Sequence, residues 1–265
     1  MGASAPDQTA YGWSDMTIKP TGRYRSVIRA IMSLPFACAV SAAFAEPIEI
    51  VGFGDSLMAG YDLAAEEGFP EVLERELTEL GYEVDVLDAG VSGDTTSGGR
   101  SRLEWSVPES ADIVILELGG NDALRGIDPA ITRENIDAML DVLRVRDQRV
   151  VLAGMLAPPN LGTGYEAAFN AIYPDLAEAR NVPLYPFFLD GAMQEGLMLP
   201  DRIHPSAEGV ELMVERFLPT LLPVLDEVTG ASAAPGGVPP TDPVVPAAPD
   251  AMVPETATPQ APAIQ

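Results

Sequence analysis

Between positions 46 and 229, short runs of Val, Ile and Leu alternate with stretches whose apolar residues recur at helical spacing. Ile48 to Phe53, Val84 to Leu87, Ile113 to Leu118 and Val150 to Met155 are mostly continuous in apolar residues, as strands buried on both faces tend to be, and Leu184 to Phe188 is a weaker fifth. Between them, Phe69, Val72, Leu73, Leu77 and Leu80 repeat with the period of a helix and stop at Gly81, a residue suited to ending one. Ile136, Met139, Leu140 and Leu143 do the same, and Val210, Met213, Val214, Phe217 and Leu221 predict the last helix. This alternation of β and α predicts an α/β fold with a parallel sheet and helices on both faces, because each crossover must return the chain to the same edge. Functional sites in such sheets collect outside the carboxyl ends of the strands.

The two ends carry no such pattern. Arg23, Arg25 and Arg29 precede an apolar run, Ala30 to Phe44, that finishes in the small-residue sequence Ala43-Phe44-Ala45. That arrangement reads as a secretory signal cut before Glu46, which predicts a periplasmic or secreted protein. The run contains Pro35 and is shorter than the roughly 20 residues of a bilayer span, so no stable membrane anchor is expected after processing. Beyond Thr229 the composition turns to Pro, Ala, Gly, Val and Thr with no aromatic residue, the signature of a disordered tail. The predicted organisation is therefore an N-terminal extension and signal peptide over 1–45, one domain over 46–229 and a Pro/Ala-rich tail over 230–265.

Charge and composition remove several classes of function. The formal net charge is −25 and no lysine follows Glu46, which opposes nucleic-acid binding, since phosphate contacts need clustered Lys and Arg. The single cysteine, Cys38, falls in the presequence, leaving no disulfide in the mature chain. One histidine and no mature cysteine leave only carboxylates as metal ligands, so neither a metal nor a cofactor is expected.

Four segments at strand ends or before a helix carry the candidate chemistry. Gly54-Asp55-Ser56-Leu57 follows the first strand, where a sharp turn can lift the Ser56 hydroxyl into solvent; alone it could equally be a capping turn. Asp201-Arg-Ile-His204-Pro205 precedes the last helix and contains the only histidine. A lone histidine is commonly structural, but Asp201 can hold one ring nitrogen while the other faces a serine, as a catalytic triad requires. Val91-Ser92-Gly93-Asp94 follows the second strand and Gly119-Gly120-Asn121-Asp122 the third. A free N–H at Gly93 and the neutral amide of Asn121 could both donate to an oxyanion.

Taken in order, Gly54-Asp55-Ser56-Leu57, Gly90-Val-Ser-Gly93-Asp-Thr, Gly119-Gly-Asn121-Asp122 and Asp201-Arg-Ile-His204-Pro205 resemble the four blocks of the SGNH or GDSL hydrolases. The resemblance implies a three-layer α/β/α arrangement around a parallel, flavodoxin-like five-stranded sheet. It further implies that Ser56 is the nucleophile, that Gly93 and Asn121 join the Ser56 N–H in an oxyanion hole, and that Asp201 and His204 complete the triad. Asp88 departs from the pattern, standing where many relatives have asparagine, which puts a supporting hydrogen bond in doubt. Gly119 to Gly126, Gly154 to Gly162, Tyr165 to Tyr173 and Pro183 to Phe188 are similar to the bacterial periplasmic thioesterase, lysophospholipase and arylesterase branch.

Leu57, Leu124 and Leu156, with Met58, Met155 and Leu161, fall in loops on the catalytic side, where they could bind an acyl chain or aryl ester or simply cover the sheet. The expected partner is a small acyl ester or thioester, hydrolysed through an acyl-enzyme. A carbohydrate-deacetylating esterase is the alternative enzyme. An inactive binding module on the same fold would be marked by a lost triad residue, and none is missing.

Overall fold

The computed structural model describes residues 46–230, so the signal peptide and extension assigned to 1–45 and the tail beyond Gly230 lie outside the described residues. Strands β1 (Ile48–Gly54), β2 (Val84–Gly90), β3 (Ile113–Glu117), β4 (Arg149–Ala153) and β5 (Leu184–Tyr185) form one sheet in the order β2-β1-β3-β4-β5. Every neighbouring pair is parallel. Reversal of strand order beside β1 puts the ends of β1 and β3 at the switch point, where such sheets open a crevice.

The helices are α1 (Phe69–Glu79), α2 (Thr96–Ser106), α3 (Gly120–Leu124), α4 (Pro129–Val145), α5 (Thr163–Asn170), α6 (Ile172–Arg180), α7 (Ala192–Glu195) and α8 (Ala207–Thr229). Helix α1 packs on α8, whereas α2 and α6 each pack on α4, so the sheet lies between two helical layers. All five residues of β3 and the last five of β1 are buried, as continuous apolar runs demand. Each fully buried Ile, Val or Phe contributes on the order of 1.5–3 kcal/mol of apolar transfer, which makes these central strands the fixed base for the loops above them. Phe69, Phe188 and Phe217 are mutually in contact and join α1 and α8 to the chain after β5.

Gly81 ends the α1 turn as the pattern requires. Its φ of +93° lets the Tyr82 N–H return to the Leu77 carbonyl at 3.0 Å. Three boundaries differ from the pattern. Strand β5 stops at Tyr185 because Pro186 has no N–H to continue the ladder. Strand β2 runs on to Gly90, but as an edge strand it leaves Leu87 exposed. Helix α8 continues to Thr229 through Pro219 and Pro223, held by an apolar face that includes Leu221, Val224 and Leu225. Among the described residues no helix is long and apolar enough to cross a membrane.

Candidate active site

The chain leaves β1 through a tight turn that needs Gly54. A Cβ there would lie 2.5 Å from Glu117 Oε2 and 2.8 Å from the Glu117 carbonyl, so any larger residue would push the turn away from β3. Asp55 then fixes the turn from inside. Its N–H donates to Glu117 Oε2 at 3.1 Å, its Oδ1 accepts the Leu57 N–H at 3.0 Å and its Oδ2 accepts Asn121 Nδ2 at 2.9 Å. Backbone bonds from Ala59 to Asp55 and from Tyr61 to Ser56 close the turn. Ser56 is left almost buried, 9 % exposed, with its hydroxyl turned to one partner.

That partner is His204, whose Nε2 lies 2.8 Å from Ser56 Oγ. The loop before α8 is held by the Leu199 N–H donating to the His204 carbonyl at 2.8 Å and by the Ser206 N–H donating to Leu197 at 2.9 Å. Arg202 takes φ +60°, a left-handed position that folds Asp201 back towards His204. Asp201 Oδ1 accepts the N–H groups of Ile203 and His204, and Oδ2 lies 2.6 Å from His204 Nδ1. These bonds, led by the one from His204, hold the Asp201 carboxyl down at about 2. A carboxylate can only accept, so Nδ1 carries the proton and Nε2 presents its lone pair to Ser56.

Two other segments adjoin this turn, the Gly93 loop through the Val91 N–H on the Gly54 carbonyl at 3.0 Å and the first turn of α3 through Asn121 on Asp55. Gly93 has φ +81°, and its carbonyl accepts from Arg125 Nη2 at 2.7 Å while the Asp94 N–H donates to Val91 at 3.0 Å. The N–H groups of Ser56 and Gly93 have no acceptor among the described residues. Asn121 lies in the first turn of α3 and spends one amide proton on Asp55, keeping the other free. Gly119, at φ +122°, starts this helix beneath the Tyr173 hydroxyl, which donates to the Leu118 carbonyl at 2.8 Å.

The three apolar candidates separate. Leu57 belongs to the buried core, whereas Leu124, the last residue of α3 and not part of a loop, and Leu156, in the loop after β4, are 54 % and 39 % exposed. Asp88 keeps a local support, its Oδ1 accepting the Gly90 N–H at 2.7 Å, although desolvation by its surroundings pushes its carboxyl up.

Several supporting residues were not singled out in the sequence. Arg102 forms a 2.7 Å ion pair with Asp94 and donates to the carbonyls of Ala89 and Gly54, joining the ends of β1 and β2 to the Gly93 loop. Its stem neighbour Arg100 is exposed, and nothing in Gly99-Arg-Ser-Arg102 distinguishes the two without the helix phase. Asp122 accepts from Thr96 and Thr132 and so locks α3 to α2 and α4. Glu117 is wholly buried with Oε1 unpaired among the described residues, and burial beside Asp55 pushes its carboxyl well above the usual range. The charged residue ending an otherwise apolar β3 was the available signal for it. Tyr61 stacks on the His204 ring.

Comparison with known proteins agrees with this architecture. Residues 53–212 match the model of the GDSL-like Lipase/Acylhydrolase family. An arylesterase of Vibrio mimicus is 36 % identical over 191 residues, covering 71 % of this chain and 95 % of its own. Thioesterase 1/protease 1/lysophospholipase L1 of Escherichia coli is 32 % identical over 197 residues, covering 73 % and 93 %. The crystal structure of TesA superposes with a TM-score of 0.63 at 36 % identity, covering 66 % of this chain and 99 % of that one. With the family model spanning more than half of the chain and the five-stranded parallel sheet shared, this chain belongs to the GDSL-like lipase/acylhydrolase family and is a serine hydrolase of ester bonds.

Proposed function

We propose that the chain hydrolyses carboxylic esters or thioesters through an acyl-enzyme on Ser56. The observation that carries this reading is the continuous path from Asp201 Oδ2 to His204 Nδ1 at 2.6 Å and from His204 Nε2 to Ser56 Oγ at 2.8 Å. As Ser56 Oγ bonds to the acyl carbon, its proton passes to Nε2. The charge that builds on the carbonyl oxygen is met by the Ser56 and Gly93 N–H groups and by the free amide proton of Asn121. Nε2 then returns the proton to the departing alcohol or thiol as its bond to the acyl carbon breaks. Water repeats the cycle and frees the acid. Asp201 stays ionised and stabilises the imidazolium of both half-reactions.

Aryl esters, acyl thioesters and lysophospholipids are the substrate classes named for the relatives, and exposed Leu124 and Leu156 suit their apolar portions. The hydrolase domain is 46–229, exported by the segment before Glu46, with a tail that takes no part in turnover. A phosphonate ester should label Ser56 stoichiometrically in the wild type and nothing in Ser56→Ala, read by peptide mass spectrometry. Label on another serine sinks the assignment. A panel of p-nitrophenyl esters of increasing chain length, acyl-CoAs and lysophospholipids then ranks the substrate classes.

A further inference from the structure

Tyr61 takes no part in the proton path, yet its ring lies nearly parallel to the His204 imidazole, with centroids 4.3 Å apart and planes 28° apart. Core packing does not account for the contact, because Tyr61 is 47 % exposed. The backbone is shaped to put it there. Tyr61 closes the nucleophile turn by donating its N–H to the Ser56 carbonyl at 3.1 Å, and it is bracketed by Gly60 at φ +61° and Asp62 at φ +59°. Asp62 is a non-glycine residue in the left-handed region, a conformation that persists where the surrounding structure imposes it. It is the ring of Tyr61 that makes the contact with His204.

We propose that Tyr61 is a positioning residue for the base: its ring holds the His204 imidazole in the plane joining Asp201 to Ser56 and stabilises the imidazolium formed during attack. The inference rests on the preceding reading of Ser56 and His204. The contacts at Nδ1 and Nε2 hold the imidazole by its edge only, and the Ser56 contact is given up as Oγ bonds to the acyl carbon, so a parallel ring against one face keeps the imidazole from tilting out of line. The face of an aromatic ring also attracts a cation within about 6 Å of its centroid, and the imidazole lies inside that range. The same turn thus delivers both the nucleophile and the platform of its base.

Four other groups bear on the His204 charge. Asp201 faces Nδ1, the Ser56 hydroxyl faces Nε2, the Asp55 carboxyl acts from the nucleophile turn, and Arg202 is the exposed cation of the same loop. Exchanging Tyr61 leaves all four unchanged.

Tyr61→Phe and Tyr61→Leu separate the ring from mere bulk. Both variants should be assayed with a soluble short-chain p-nitrophenyl ester from pH 4 to 9, with rates expressed per phosphonate-titrated Ser56 so that misfolded enzyme does not count. Tyr61→Phe should reproduce the wild type. Tyr61→Leu should lower kcat by about 3- to 30-fold at nearly constant KM and move the acid limb to lower pH, because the imidazolium loses its aromatic face. Wild-type kcat and limb in Tyr61→Leu overturn the proposal, as does a loss confined to KM or a Tyr61→Phe variant as impaired as Tyr61→Leu. His204→Ala, measured alongside, separates the two levels of inference. If it keeps activity and the acid limb, the assignment of the base fails; if it is inactive while Tyr61→Leu behaves as wild type, only the role of Tyr61 fails.

Discussion

Two carboxyl environments meet at Ser56, and they are opposites. Asp201 lies in a surface loop, accepts three hydrogen bonds and is held at about 2. Asp55 and Glu117 lie beneath the nucleophile, where burial pushes both carboxyls up, Glu117 well above the usual range. The same functional group therefore does two jobs. A solvated, hydrogen-bonded carboxylate keeps its charge and can stabilise a transient imidazolium, whereas a dry pair of carboxyls serves as a rigid acceptor frame for the turn and for Asn121.

The largest effect should come from neutralising the charged member. Asp201→Asn keeps the shape but removes the charge and disturbs the tautomer at His204, so kcat should fall by about 10⁴-fold, with slow phosphonate labelling of Ser56 retained. A loss below tenfold would make Asp201 a loop-folding residue only. Asn121→Ala comes next. It removes the proposed oxyanion donor and also the partner of Asp55 Oδ2, so kcat should drop by about 10²–10³-fold with little change in KM. A rise in KM alone would assign Asn121 to substrate binding.

Glu117 tests the buried side through stability. A carboxyl whose folded-state value is raised stabilises the fold fully below its unfolded value of 4.5, and that contribution is lost as pH rises towards the folded-state value. Glu117→Gln removes this titration while preserving an acceptor for the Asp55 N–H. Its melting temperature relative to wild type should therefore climb from pH 5 to pH 9, whereas Glu117→Ala, which removes the same titration, should show the same climb set about 1–3 kcal/mol lower than Glu117→Gln because it leaves that N–H unpaired. A flat difference for Glu117→Gln contradicts the electrostatic account. The smallest effect is expected at the tail, where truncation after Gly230 should leave kcat/KM and melting temperature unchanged. A fall of several degrees would show that the tail packs on the domain.

How much of this was readable beforehand depends on the range of the contact. Apolar runs located the strands because burial on both faces leaves a local trace, and Gly81 marked the end of α1 because a left-handed residue favours glycine. Pro186 shortened β5 through a missing donor, which the apolar pattern of Leu184 to Phe188 concealed. Ser56, Gly93, Asn121, Asp201 and His204 stood out by motif, and the fold sets Asp201 on His204, His204 on Ser56 and Asn121 on Asp55 beside it. The depth of Leu57 in the core was hidden, since a residue after a strand can turn either way. Arg102, Glu117 and Tyr61 act on residues far along the chain, Arg102 on Gly54 across 48 positions and Glu117 on Asp55 across 62, and no local spacing records such pairings.

The central claim is that His204, oriented by Asp201, is the base for Ser56. The direct measurement is kcat/KM for ester hydrolysis by the wild type and His204→Ala from pH 4 to 9, with folding checked at each pH. Asp201 remains ionised down to about 2, so protonation of the one imidazole should account for the whole acid limb. The wild type should lose activity through a single ionisation on acidification, and His204→Ala should fall by several orders of magnitude and lose that limb. A His204→Ala enzyme with near-normal activity and an unchanged acid limb would contradict the account and place a carboxylate in the role of base.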